Sequence, residues 1–220
     1  MLVLVDQDQV LADFGHGFDT GFLAAHPDAP HQPRSQAPSY WIEDSYPPEW
    51  HERIRAVSAA PGFFRGLRPL PGAVAAMHAM LADGHDVRIC TAPLRAYRHC
   101  VLEKFEWVEE HLGAEWTDRM VLTRDKTLLS ATADVLVDDK PDVVGSITTA
   151  DEDWTRVLFD APYNLALPGP RLNWGTWREV LAGVEADRAA RGVLRVPRRR
   201  VLQVGLPTHA PARTAVGAAR

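Results

Sequence analysis

The chain has 220 residues, 46% hydrophobic and 24% charged, a composition that suits one medium globular domain with a small insertion. A formal net charge of -5 argues against a general binder of nucleic-acid polymers, which is usually basic, but not against a small anionic ligand held by local cations or a metal. Cys90 and Cys100 are too few for a disulfide framework, and no stretch approaches the roughly 18 apolar residues of a membrane span, so a cytoplasmic protein without membrane partners is expected.

Residues 2–5, Leu-Val-Leu-Val, form an apolar run ended by Asp6 and Asp8, as expected of a buried parallel strand whose carboxyl end faces a site. Residues 15–70 differ in character. They hold many aromatic, Pro and His residues, with short helical stretches near 17–25 and 47–60, and they read as an insertion. From Pro71 onward strands and helices alternate. Pro71-Gly72 opens a helix over 73–81 that Asp83-Gly84 ends; 87–90 is a strand followed by Thr91. A helix over 95–111 is closed by Gly113, and strands follow at 120–122, 135–137 and 157–159. A last amphipathic helix covers about 175–189. Residues 190–220, rich in Arg, Pro and Ala, are expected to form a weakly ordered tail. The pattern predicts an α/β fold with a parallel sheet covered on both faces. Residues 1–14 and 71–189 make the core, and 15–70 a small helical cap after the first strand.

Ligands bind at the carboxyl ends of such strands, and each chemically suggestive residue falls there. Asp6-Gln7-Asp8 places two acids where the backbone leaves the first strand. One carboxylate there can bind a metal or attack phosphorus while the other moves a proton, although acids at strand ends also simply cap helices. Thr91 and its neighbouring amides can hold a phosphate oxygen, or Thr91 can cap a helix. Lys126 follows a third strand, where a solvated surface lysine is the plainer role. Asp138-Asp139 ends a fourth, and adjacent acids repel unless a divalent cation lies among them. Together the four strand ends are far more specific than any one alone. They suit Mg²⁺-assisted attack of Asp6 on a phosphate monoester through a phospho-aspartate, with Asp8 as acid and base. Lys126 and Thr91 stabilise the equatorial oxygens, and Asp6, Asp8, Asp139 and Asp138 form the metal site.

This motif order resembles the haloacid dehalogenase-like phosphatase superfamily, and more narrowly the 5'(3')-deoxyribonucleotidases. The blocks that carry the resemblance are Leu4 to Phe14 (LVDQDQVLADF), Tyr40-Trp41-Ile42, Leu70 to Val74 (LPGAV), Cys90 to Pro93 (CTAP), Glu103 to Val108 (EKFEWV), Val121 to Thr127 (VLTRDKT) and Val137 to Asp142 (VDDKPD). They fall in order over about residues 2–160. The resemblance implies a Rossmann-like core with a small helical cap and Mg²⁺-dependent removal of phosphate from deoxyribonucleoside monophosphates, often with uracil or thymine bases. It puts Phe14, Tyr40, Trp41 and Ile42 on the base and sugar pocket, with Ala92 and Arg95 beside the phosphate. A homodimer is compatible with it. The chain departs from the pattern at Gln9, where glycine is usual, at Ala92, where a hydroxyl residue is common, and in its long tail. If position 9 needs an unusual backbone angle, Gln9 costs stability or reshapes the loop.

Three other readings compete. A phosphatase for another small phosphate, such as a sugar phosphate, shares every motif. A non-catalytic binding member of the superfamily fits the Gln9 substitution. A signalling receiver domain also uses Asp, Thr and Lys at strand ends, but there the paired acids come first in the chain. Gly15, Gly17 and Gly21 do not have the dinucleotide-binding spacing.

Overall fold

The computed structural model describes residues 1–193. Its six strands, β1 (Leu2–Val5), β2 (Asp86–Thr91), β3 (Met120–Leu122), β4 (Val135–Asp138), β5 (Thr155–Phe159) and β6 (Arg171–Leu172), form one parallel sheet in the order β3-β2-β1-β4-β5-β6. Five helices accompany them: α1 (Phe14–Ala25), α2 (His51–Ala59), α3 (Ala73–Ala82), α4 (Tyr97–Leu112) and α5 (Trp177–Ala190). The α/β reading holds, and the five expected strands and the helices lie within a few residues of their expected bounds. The two-residue β6 is unforeseen because Arg-Leu carries no periodicity. The expected tail lies outside the described residues from 194 onward, while Ala190 closes α5.

β1 and β4 are buried along nearly their whole length, which is why each reads as an unbroken apolar run rather than an alternation. The chain winds from β1 to β2 and β3 on one side, then to β4, β5 and β6 on the other. The winding reverses between β1 and β4, and a crevice opens at such a switch point. Register makes this concrete: Val5 pairs with both Val137 and Ile89, and the Asp6 amide donates to the Val137 carbonyl at 2.9 Å. Asp6, Asp138 and Thr91 therefore leave adjacent strands side by side.

The segment between β1 and α3 holds α1, α2 and several short 3-10 turns. It has its own apolar cluster of Phe18, Phe22, Tyr46, Ile54 and Val57. Phe18 and Phe22 are fully buried and stacked at 5.5 Å, each contributing roughly 1.5–3 kcal/mol by its burial. One face of α4 fastens this layer to the core. Glu103 accepts from the Gly62 and Phe64 amides at 2.6 and 3.0 Å, and the Trp107 indole donates to the Leu67 carbonyl at 2.7 Å. From the other side, the Trp174 indole donates to the Val10 carbonyl at 2.8 Å.

The loop after β1 contains Gln9 with φ of +59°, the left-handed region that the usual glycine occupies without penalty. For a residue with a Cβ this conformation costs roughly 1–2 kcal/mol. The side chain offsets part of that cost, because its Oε1 accepts from the Gly15 amide in the first turn of α1 at 2.7 Å. Gly15 permits the approach; a Cβ there would stand 3.0 Å from Gln9 Oε1 and 3.1 Å from Arg34 Cβ. Gln9→Gly is expected to change stability by less than about 1 kcal/mol, relieved strain offsetting a lost hydrogen bond. Gln9→Ala keeps the strain, loses the bond, and should fall about 1 kcal/mol below the glycine variant. Denaturant midpoints of the two variants check this, and an alanine variant at or above glycine refutes the account.

Candidate active site

The strand ends bring four carboxylates and Lys126 together, and Lys104 joins them from α4. Lys126 begins a 3-10 turn after β3 whose N-cap is Asp125, which accepts from the Thr127 amide. Asp125 also accepts from the Ser146 amide at 2.8 Å and hydroxyl at 2.6 Å, tying this turn to the loop after β4. Those bonds, Ser146 first and Thr127 second, lower its pKa to about 2. So braced, Lys126 reaches Asp6 Oδ1 at 2.8 Å and Asp138 Oδ2 at 2.7 Å. Burial opposes its charge, yet the Asp138 and Asp6 carboxylates hold its pKa above the ordinary lysine range.

Asp6, Asp138 and Asp139 each offer an oxygen within 4.8 Å of the others. Lys126 alone cannot balance three buried carboxylates. Burial first, then Asp138 and Asp6, push the Asp139 carboxyl well above the usual range. Three clustered hard oxygens with uncompensated negative charge fit a divalent ion such as Mg²⁺. Asp139 is further fixed by the Tyr163 hydroxyl, which donates to Oδ2, while the Asn164 amide donates to its backbone carbonyl at 2.7 Å.

Asp8, expected among the metal ligands, is not one of the three residues whose carboxylate oxygens cluster. Lys104 from α4 holds Asp8 Oδ2 at 2.7 Å and donates to the Thr91 hydroxyl at 3.0 Å. Asp8 Oδ1 is buried and has no hydrogen-bond partner among the described residues. Burial raises the Asp8 pKa despite the attraction of Lys104, and Asp6 adds to the rise. Such an arrangement lets a carboxyl beside Asp6 both give and take a proton.

Residues 1–186 match the family described as 5' nucleotidase, deoxy (Pyrimidine), cytosolic type C. The chain belongs to this family. Its relatives include the human cytosolic 5'(3')-deoxyribonucleotidase, 43% identical over 190 residues (81% of this chain and 92% of that one). The human mitochondrial 5'(3')-deoxyribonucleotidase is 40% identical over 183 residues, 80% of this chain and 78% of the relative. A Bordetella pertussis protein given the same activity name provisionally is 47% identical over 184 residues, 83% and 96% of the two chains. Among solved structures, a haloacid dehalogenase family hydrolase from Deinococcus radiodurans superposes with a TM-score of 0.51 at 15% identity, over 83% of this chain and 95% of that one. The fold is that of the haloacid dehalogenase-like hydrolases.

Within this deoxyribonucleotidase-family chain, the expected pocket residues are not equally close to the carboxylates. Tyr40 is close enough that burial and the nearby Asp139 raise its pKa. Trp41 packs edge-on to Tyr40 at 5.1 Å but is 58% exposed. Phe14 lies under the inserted layer, edge-on to Phe63 at 5.3 Å, and Ile42 packs on that layer's own cluster. Ala92 and Arg95 are both exposed just past β2. Four residues that the sequence did not single out for a role join the site: Lys104, Tyr163, Arg34 and Lys140. The Lys140 ammonium lies 5.6 Å from the Tyr40 ring centroid and 5.4 Å from that of Trp41. A lysine inside a helix next to Glu103 looks like a solvated charge; its complete burial is what marks Lys104. Cys90, fully buried in β2, has its thiol pushed up to about 12 by burial, which disfavours the thiolate.

Proposed function

We propose that this chain is a Mg²⁺-dependent phosphatase that cleaves deoxyribonucleoside monophosphates, dUMP and dTMP ahead of others, through a phospho-aspartate on Asp6. The observation that carries the reading is the cluster of Asp6, Asp138 and Asp139 within 4.8 Å, with Asp8 held next to it by Lys104. Membership of the deoxyribonucleotidase family supports the nucleotide over other phosphates. Asp6, Asp138 and Asp139 would hold a divalent ion, which would supply the positive charge that lets a carboxylate approach a phosphate dianion.

Asp6 attacks phosphorus with the oxygen that Lys126 and the Gln7 amide, both on Oδ1, do not hold. Asp8 gives its proton to the departing alkoxide and then takes one from the water that hydrolyses the phospho-aspartate. Lys104, 3.0 Å from the Thr91 hydroxyl, sets Asp8 in place and, with Lys126 and Thr91, faces the charge that develops on the transferring group. Tyr40 and Trp41 offer flat faces to a base, and such stacking is worth about 1–3 kcal/mol per base. A small inserted layer closes more readily over a pyrimidine than a purine. An apolar wall leaves a ribose 2'-hydroxyl unpaired and so favours deoxyribose. Among the described residues no helix is long and apolar enough to cross a membrane, and the reading places the enzyme with its small substrates in the cytoplasm.

Relative kcat/KM for dUMP, dTMP, dAMP, dGMP, the ribonucleotides and a sugar phosphate, with Mg²⁺ and with chelator, tests the proposal. The order should put dUMP and dTMP first, chelation should remove activity, and Trp41→Ala should erode the preference more than it slows an aryl phosphate. A sugar phosphate that outruns every nucleotide refutes the nucleotidase reading and leaves the phosphatase reading intact. Full activity in excess chelator refutes the metal.

A further inference from the structure

We propose that Tyr163 is a positioning residue that joins the metal ligand Asp139 to the wall of the substrate pocket. The inference rests on reading Asp6, Asp138 and Asp139 as a divalent-ion site. Tyr163 sits in a single 3-10 turn, Pro162–Asn164, just past β5. That turn is bolted to the site by its next residue. The fully buried Asn164 side chain donates to the Asp139 carbonyl at 2.7 Å and the Phe159 carbonyl at 2.8 Å, and accepts from the Ala161 amide at 3.1 Å. The Tyr163 hydroxyl is thereby delivered to Asp139 Oδ2.

The other face of the same ring belongs to the inserted layer. The Arg34 guanidinium lies 5.3 Å from its centroid, and the Tyr40 ring stands edge-on at 5.7 Å and 82°. Arg34 is 8% exposed and holds the backbone that carries the pocket wall, donating to the Ser39 carbonyl at 3.2 Å and the Tyr40 carbonyl at 3.0 Å. One side chain thus touches a carboxylate of the cluster and the aromatic wall together. Its chemistry suits the task. A third carboxylate beside Asp6 and Asp138 is driven outward by like charge, and a donor must hold it in line. A lysine there would cancel the negative charge the ion needs, whereas a phenol orients the carboxylate and leaves its charge intact.

The test uses the full chain and two variants, Tyr163→Phe and Tyr163→Leu, with Mn²⁺ as the probe. Its binding is read from the free-ion electron paramagnetic resonance signal, independently of turnover. Tyr163→Phe removes only the hydroxyl and should weaken Mn²⁺ binding roughly 10–100-fold, the usual effect of losing a group that orients a metal ligand. Its KM for dUMP at saturating Mg²⁺ should stay within about twofold of wild type, because the ring and its packing remain. Tyr163→Leu should weaken Mn²⁺ binding to the same degree and in addition raise the dUMP KM several-fold. If turnover is absent in wild type, the dUMP dissociation constant from calorimetry replaces KM. In that case the phosphatase reading fails while the Mn²⁺ comparison still decides the role of Tyr163. A phenylalanine variant that binds Mn²⁺ as tightly as wild type overturns the inference. So does a leucine variant with the dUMP affinity of the phenylalanine variant, which would detach the ring from the pocket wall.

Discussion

Asp6→Asn is expected to abolish phosphate release, with the rate falling by roughly 10⁴ or more, as for other lost nucleophiles. The amide cannot attack phosphorus, and it takes the negative charge from one of the three side chains whose oxygens cluster within 4.8 Å. The fold should survive the change. Taking a carboxylate away from two others relieves repulsion, and Lys126 keeps its 2.7 Å bond to Asp138, so the thermal midpoint should not drop below wild type in chelator. Steady-state phosphate release on dUMP and a melting curve measure both. Turnover within tenfold of wild type sinks the covalent mechanism. Asp8→Asn should be nearly as inactive on a nucleotide, yet accumulate phospho-enzyme from a substrate with a good leaving group, since only the first proton transfer is then dispensable.

Lys126→Met should be the most destabilising single change at the site. The lysine side chain is 6% exposed and sits between Asp6 and Asp138, so its removal leaves two buried carboxylates facing each other without a cation. Breaking a buried ion pair from one side costs about 3–5 kcal/mol. A divalent ion that binds only the folded state should recover part of the loss, so the denaturant midpoint of the variant should rise more on adding Mg²⁺ than that of wild type. Turnover at saturating Mg²⁺ should still be lower by roughly 10²–10³, the scale of one lost charge-stabilising group. An unchanged midpoint in chelator would show that Lys126 does not balance the carboxylates.

The placement of the polar residues at the strand ends was legible because a parallel strand announces itself as a short apolar run and its carboxyl end as the first polar residues after it. Asp6, Thr91, Lys126, Asp138 and Asp139 all follow such runs, and the register that aligns Val5 with Ile89 and Val137 brings them together. Gln9 was legible too, since a residue standing in for glycine flags a left-handed backbone, and φ is +59° there. The side chains that approach from outside the sheet were hidden. Lys104 is seven residues into α4, and only tertiary packing turns it inward to Asp8. Tyr163 and Arg34 lie in 3-10 turns of three residues, too short for any periodicity, and their meeting spans more than a hundred residues of chain. The direction of the Asp8 carboxylate was hidden for the same reason, because its partner is Lys104.

The carboxylates at the floor leave adjacent, mutually hydrogen-bonded strands, so their spacing cannot change without opening the sheet. The aromatic wall hangs on a different fabric: Arg34, Tyr40 and Trp41 belong to a layer with its own apolar cluster, fastened through a few bonds to α4, through Trp174 and through the ring of Tyr163. A chain built this way can drift in what it accepts while what it does stays fixed. Substitutions in the inserted layer reshape the pocket at little risk to the reaction, whereas any change at β1 or β4 puts the reaction itself at stake. Diversity of substrate among proteins of this architecture is therefore expected to be written in residues 14–67, and a selection for new phosphate esters should be aimed there.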